Sequence, residues 1–442
     1  EATLTMEGCT VNGNTAADDG SVGGGGIYAT GRLRMQGCTI RGNYAKKDGG
    51  GIYAVGELSL TDCTVTANES QNNGYGSSTG TGSGGGIYIK GRGVMTGGSV
   101  TGNKANSNGK GGGIYIDGNG SFTMTGGTVS SNTTVHEDGG GIYIDENGSF
   151  TMTGGAVSSN TTQYGLGGGV CVSGSSARFT MKDAAYITPS SAGEENQPRK
   201  NDVYLYNDAK ITLSAALTGT APAARITVAH IKYLPTTQVL AGTAALLNSE
   251  HGKFTVTPKT VSGSTQVWTI NNTGRLQKPP VTINGSASDA WKTLKAAIAA
   301  ADDGDIFIIN GEVKATNATD NSGELEVNKD ITVKKADGAA TAVLNANSNH
   351  SGTAPADAPA TKHRIFKVEA GKTLTLENLT LKGGRREAYG AGGGAIHAVG
   401  PLTMKNCIVT DNRIEYGNGG GICAEATLTM EGCTVNGNTA AD

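Results

Sequence analysis

One motif recurs along this chain at intervals of about a turn of solenoid, and it leaves few folds open. It reads LTMEGCTVNGN at 4–14, LRMQGCTIRGN at 33–43, LSLTDCTVTAN at 58–68, VMTGGSVTGN at 94–103, FTMTGGTVSSN at 122–132 and FTMTGGAVSSN at 150–160. Copies return late in the chain as LTLENLTLKGG at 374–384, LTMKNCIVTDN at 402–412 and LTMEGCTVNGN at 428–438. A second motif interleaves with it: GGAIH at 393–397, GGGIC at 419–423, GGGIY ending at Tyr28, Tyr53, Tyr88, Tyr115 and Tyr143, and GGGVC ending at Cys171. In LxMxxCxV the Leu, Met, Cys and Val alternate, so one face of an extended segment is apolar. A unit this short cannot bury that face alone, but stacked units bury it continuously. The period therefore predicts two short strands per unit, stacked into an all-β, right-handed parallel β-helix (solenoid) with neighbouring coils about 4.8 Å apart. Gly supplies 71 of 442 residues. That content would suit disorder equally well, and only the periodicity decides for a solenoid.

The eighteen residues EATLTMEGCTVNGNTAAD occupy both 1–18 and 425–442. An offset of 424 residues predicts a window cut from a tandem array of identical units; an engineered overlap would give the same pattern. The chain begins with Glu1 and shows no signal peptide, so its N-terminus is expected to lie upstream.

With GGAI at Gly393–Ile396 and V/I-x-x-N at Val435–Asn438 and Ile40–Asn43, the sequence resembles polymorphic outer-membrane proteins, whose paired GGA[ILV] and FxxN repeats build surface-exposed parallel β-helices. Similar units occur in secreted bacterial β-helix proteins. The resemblance covers roughly 370–442 and 1–190. Gly replaces Ala in most copies, Val or Ile replaces Phe, and no outer-membrane barrel is evident. It implies architecture and an extracellular or cell-surface location, without implying a receptor.

The expected organisation is β-helix coils over 1–190, last coils and an irregular C-terminal β cap over 191–275, a linker over 276–287, a capping helix over 288–303, and first coils over 304–442 that continue into the next repeat. GRLQKPP (274–280) marks the linker. In SDAWKTLKAAIAAADDGD (288–305), Ser288 suits an N-cap and Gly304 a stop, and Trp291, Leu294, Ile298 and Ala301 share one face. Such a helix would plug the apolar end of the first coil. Phe254 and Trp268 would cover the core at the other end.

Stacking converts each repeated position into a ladder. Asn14, Asn43, Asn68, Asn103, Asn132, Asn160, Asn412 and Asn438 form a structural Asn ladder of inward turn residues. Cys9, Cys38, Cys63, Cys407 and Cys433 fall on the apolar stripe and read as buried free thiols, although adjacent pairs have spacing compatible with a bridge. Tyr28, Tyr53, Tyr88, Tyr115 and Tyr143 point away from the interior. They are a packing stack or, functionally, a contact strip for a neighbouring filament or a glycan. The insertion 69–84 reads as a Gly/Ser-rich surface loop, the Arg385–Arg386 pair before the Gly390 turn as solvated, and Asp117 and Asp145 as turn residues.

Net charge is −3, too small to suggest nucleic acid or a membrane surface as a partner, and no run of residues is apolar enough to span a bilayer. The enzymes of this architecture require constellations that are missing from the sequence. The polygalacturonase pattern NTD…DD…GHG…RIK is absent, no paired carboxylates stand out, and the six His are scattered. No CxxC suggests a metal, and no cofactor is expected. The reading is a non-enzymatic, extracellular structural protein, one unit of a tandem-repeat fibre or sheath. Its partners are identical units head to tail, with lateral self-association or host glycans as further contacts. An adhesin or glycan binder is the alternative, and a polysaccharide lyase or hydrolase the third.

Overall fold

The computed structural model describes residues 2–17, 23–71, 82–189, 200–261, 264–348, 355–387 and 392–441. Residues 72–81 of the insertion read at 69–84, and Gly390, lie outside them. The chain divides into two compact units, Glu1–Gln277 and Lys278–Asp442.

In the first unit the coils stack in register as a parallel β-solenoid. Two nine-stranded sheets, one seven-stranded sheet and one six-stranded sheet run along it. Each regular coil thus holds four short strands instead of the two expected. The segment read as one strand breaks in the middle because a residue there takes left-handed backbone: Gly37 at φ +57° and Asp62 at φ +49°. The coil 57–71 shows the result, with strands Glu57–Thr61, Cys63–Thr66 and Glu69–Gln71 before the next GGGIY strand, Ile87–Ile89. Register follows the motif residue by residue: Met95 pairs with Met124, Val100 with Val129 and Ile87 with Ile114. The alternating apolar residues fill the interior, where Leu33, Ile40, Val65, Ile87, Phe150 and Met152 are fully buried.

The three glycines before each Ile are there for three separate reasons. Gly111 adopts φ +66°, where L side chains are strained. A Cβ on Gly112 would stand 2.3 Å from the Thr133 carbonyl oxygen of the next coil. A Cβ on Gly113 would meet the Asn132 amide at 2.8 Å. Coil spacing is fixed by the ladder of backbone hydrogen bonds, so the first two places of the corner have no room for a side chain.

Beyond the last Gly triplet, Val203–Leu205, Ala224–Val228 and Phe254–Val256 continue one nine-stranded sheet, while Ile211–Leu217 and Leu240–Ala241 continue the other. Phe254 and Trp268 are buried in this end of the core. The short helix Ala244–Glu250 was not anticipated. Its N-cap, Thr243, accepts the Leu246 N–H, a local hydrogen bond that Gly-Thr before an apolar run permits. Antiparallel pairs Lys259–Val261 with Ser264–Gln266 and Thr269–Ile270 with Leu276–Gln277 end the unit.

In the second unit, Trp291, Leu294 and Ile298 of the helix Ala290–Ala299 pack into a core with Phe307, Leu325 and Phe366. Two details differ from the sequence reading. The N-cap is Asp289, with no side-chain cap hydrogen bond; Asn321 Oδ1 accepts the Lys292 N–H at 2.8 Å instead. The stretch expected to be a linker is also structured, since Val281–Asn284 pairs with Asp305–Lys314. Alternating Val281 and Ile283 explain that strand.

The two eighteen-residue copies fold alike but stack on opposite sides. In the first, Thr3–Glu7 pairs with Arg32–Gln36. In the second, Leu428–Glu431 pairs with Leu402–Lys405. Each copy is the edge strand of its sheets, and each leaves apolar side chains uncovered: Leu4 is 51% exposed and Leu428 40%.

Candidate functional site

The Asn ladder lies inside the coils. Asn103 donates from its backbone N–H and from Nδ2 to Asn132 Oδ1, at 3.0 and 2.9 Å. Its Nδ2 also donates to the Val65 carbonyl at 2.9 Å, and its Oδ1 accepts from the N–H and Nδ2 of Asn68 at 3.0 and 2.9 Å. The same linkage joins Asn14 to Asn43 and Asn412 to Asn438. It runs on to Asn201, a member that the sequence hid because the segment before it lacks the motif. Asn43, Asn68, Asn103, Asn132, Asn160 and Asn412 are buried. Asn14 is exposed and Asn438 half-buried, because they belong to the edge coils.

All seven cysteines are free. Cys38, Cys63 and Cys407 are buried, and each thiol donates to the carbonyl two residues earlier. Burial pushes the Cys407 thiol up to about 11, which makes it a poor nucleophile. Cys9 and Cys433 are only half-buried, a correction that follows again from their edge coils.

The tyrosines require a larger correction. They lie opposite the interior face of their strands, as expected, and their rings stack at centroid distances of 5.3, 4.6, 4.8 and 5.4 Å from Tyr28 to Tyr143. Yet Tyr53, Tyr88, Tyr115 and Tyr143 are only 8%, 9%, 8% and 4% exposed, and Tyr28 alone reaches 47%. They form a second apolar cluster with Cys171, closed to solvent. Gly-rich corners lie against them: a Cβ on Gly139 would stand 2.8 Å from Tyr143 Cβ. Asp117 and Asp145, read as turn residues, accept the Tyr88 and Tyr115 hydroxyls at 2.8 Å. The stack is packing, and an open contact strip does not exist at these four residues.

The second unit presents a cleft of about 680 Å³ lined by Lys295, Lys362, Arg364, Lys367 and Arg386 together with Glu324 and Glu326. Cations outnumber carboxylates there. Glu324 Oε1 accepts from Arg364 Nε at 3.2 Å and from Arg386 Nη1 at 3.1 Å; Arg386 is thus ion-paired instead of merely solvated. Lys367 Nζ donates to Glu369 at 2.7 Å, which raises its pKa. His363 stacks obliquely on Trp291, and burial lowers its pKa.

His397 lines the same cleft, and it sits in the ladder position that tyrosine fills in the first unit. It pairs in register with Cys423. Ligand atoms of His397, Cys423 and Glu425 all lie within 4.8 Å of one another. This grouping escaped the sequence reading, which looked for CxxC and clustered His. The signal was present: GGAIH and GGGIC align His397 and Cys423 one coil apart.

The register, the Gly corner and the Asn turn together define one repeat. Residues 37–55 match the Chlamydia polymorphic membrane protein repeat. The matched stretch runs from the left-handed Gly37 through Asn43 to the strand Ile52–Ala54, so this repeat covers the Asn turn, the Gly corner and the GGGIY strand of a single coil. The match covers one coil, and the coils stacked around it make the chain a parallel β-solenoid that resembles the polymorphic membrane proteins in this repeat. The proteins for which that repeat is named are membrane proteins of Chlamydia. No curated protein matches the chain. Among the described residues, no helix is long and apolar enough to cross a membrane.

Proposed function

We propose that the protein is a non-enzymatic, extracellular building unit of a tandem-repeat fibre or sheath at the cell surface, its units joined head to tail. The observation that carries this reading is the pair of eighteen-residue copies. Asn438 accepts from Asn412 on one side of its coil, and Asn14, the same residue of the motif, donates to Asn43 on the other. Superposing the two coils yields one uninterrupted ladder from Asn412 to Asn43. It also covers Leu4, Met6 and Val11, each worth roughly 1.5–3 kcal/mol on full burial. In a fibre, successive units would be joined through the short segment around Gln277–Pro280.

A circularly permuted chain, running from 280 through 442 and then from 19 to 277, tests this. It should stay monomeric and melt several degrees above the chain as given, which should self-associate end to end. A permuted chain that does not fold, or that melts lower, overturns the array. Turnover of a polysaccharide mapped to a carboxylate pair on the coils overturns the non-enzymatic part.

The cationic cleft favours a second reading, an adhesin that holds an acidic glycan between Lys295, Lys362 and Lys367. Binding of a sulfated or uronate-containing oligosaccharide that weakens with salt and is lost in Lys362→Ala/Lys367→Ala supports it; unchanged binding in that variant removes it.

A further inference from the structure

The outer ladder changes chemistry between the two units. In the first it is aromatic from Tyr28 to Tyr143. In the second, Lys367, His397 and Cys423 succeed one another in register. Two successive coils thus project an imidazole and a thiol from equivalent positions, and Glu425 follows two residues after the thiol. We propose that His397, Cys423 and Glu425 form a binding site for a zinc-type divalent cation.

The donor set is what such an ion takes: imidazole nitrogen, thiolate sulfur and carboxylate oxygen, three protein ligands with a fourth position open to water. Tetrahedral bonds of about 2.0–2.3 Å put ligand atoms some 3.3–3.7 Å apart, so the 4.8 Å spread must close by about an ångström. The parts that must move can do so. Cys423 is half-buried, and the Glu425 side chain is 53% exposed. His397 provides the fixed point, with its side chain only 5% exposed. Its Nε2 lies 2.7 Å from Glu425 Oε1, and its Nδ1 is buried with no hydrogen-bond partner among the described residues. Nε2, the nitrogen that faces Glu425, is the one that would hold the ion.

The neighbouring charges are compatible with this. Lys367, one coil away, is held by Glu369 at 2.7 Å. The competing arrangement is a His397–Glu425 ion pair with Cys423 as bystander.

Cobalt(II) added to the whole chain separates the two. The expected result is one equivalent bound, with the near-ultraviolet charge-transfer absorption of a thiolate–cobalt bond. Zinc should displace it. Cys423→Ser should abolish the band, and Cys423→Tyr, which restores the residue of five other coils, guards against misfolding of the serine variant. His397→Gln and Glu425→Gln should each weaken binding by about tenfold or more, at least the cost of losing a supporting group around a metal. Cys433→Ser, in the interior ladder, should leave the band intact. Absence of a saturable band overturns the site. So does a band that survives Cys423→Ser, or one that vanishes only in Cys433→Ser.

Discussion

The interior Asn ladder and the outer Tyr stack run along the same coils, and polarity alone would have put each in the other's place. The amides lie in the core at essentially zero exposure, whereas the rings lie outside the core and are nearly as buried. The difference lies in what stacking does for each. An interior Asn is satisfied only because the coils above and below bring an acceptor and a donor to each of its atoms. An outer Tyr is covered only because the rings above and below, and the Gly corners beside it, close over it. One ladder is held by direction-specific bonds and the other by area.

Breaking the amide ladder should therefore cost most. Asn103→Ala takes away the acceptor of the Asn68 N–H and of one Asn68 Nδ2 hydrogen (the other stays on the Ile40 carbonyl) and a donor to the Val65 carbonyl, all inside the core. At 1–3 kcal/mol for each buried unsatisfied group, the loss should be about 4–6 kcal/mol in urea or guanidinium unfolding. A loss under about 1 kcal/mol would mean that water enters the ladder.

The corner between the two ladders comes next. Gly112→Ala drives a Cβ to 2.3 Å from Thr133 O and 2.5 Å from Gly140 O, and overpacking of this kind should destabilise by about 3 kcal/mol. Gly113→Ala should cost only about 1 kcal/mol, because Ala395 occupies that place in GGAIH and is fully buried there. Equal effects would show that coil spacing does not set the corner.

For the stack, Tyr115→Ala removes two ring contacts and should cost about 3 kcal/mol. Tyr115→Phe loses only the hydrogen bond to Asp145 and should cost about 1 kcal/mol. If the two substitutions cost the same, the hydroxyl network holds the stack and ring area does not.

The smallest effect at ordinary pH is electrostatic. Burial raises Tyr53 from 10.0 to about 12, and Tyr88, Tyr115 and Tyr143 are shifted upward as well, chiefly by desolvation. A folded pKa above the unfolded value means that this contribution to stability is intact below pH 10 and is lost as pH rises towards 12 and beyond. The tyrosinate absorbance of these four rings, taken as the difference from a chain with all four changed to Phe, should appear together with unfolding; its gradual rise at pH 10 in the folded state would show an open stack.

Much of this was legible in the sequence. Alternation fixed which face of each strand is apolar, and the repeat spacing fixed which residue stacks on which. Met95 over Met124 and Asn103 over Asn132 follow from counting residues. The helix face Trp291, Leu294 and Ile298 was legible for the same reason, since its partners are local in period. Exposure was not legible. The same LTMEGCTVNGN gives buried neighbours to the inner coils and leaves Leu4 and Leu428 open at the edges, because burial belongs to the coil next door and not to the residue. The closing of the Tyr stack, the clamping of Glu324 by two arginines and the meeting of His397, Cys423 and Glu425 were decided in the same way. Sequence determines a repeating surface one coil at a time. Only stacking determines what that surface faces, since the contacts that cover or expose it come from residues about one period or more away along the chain.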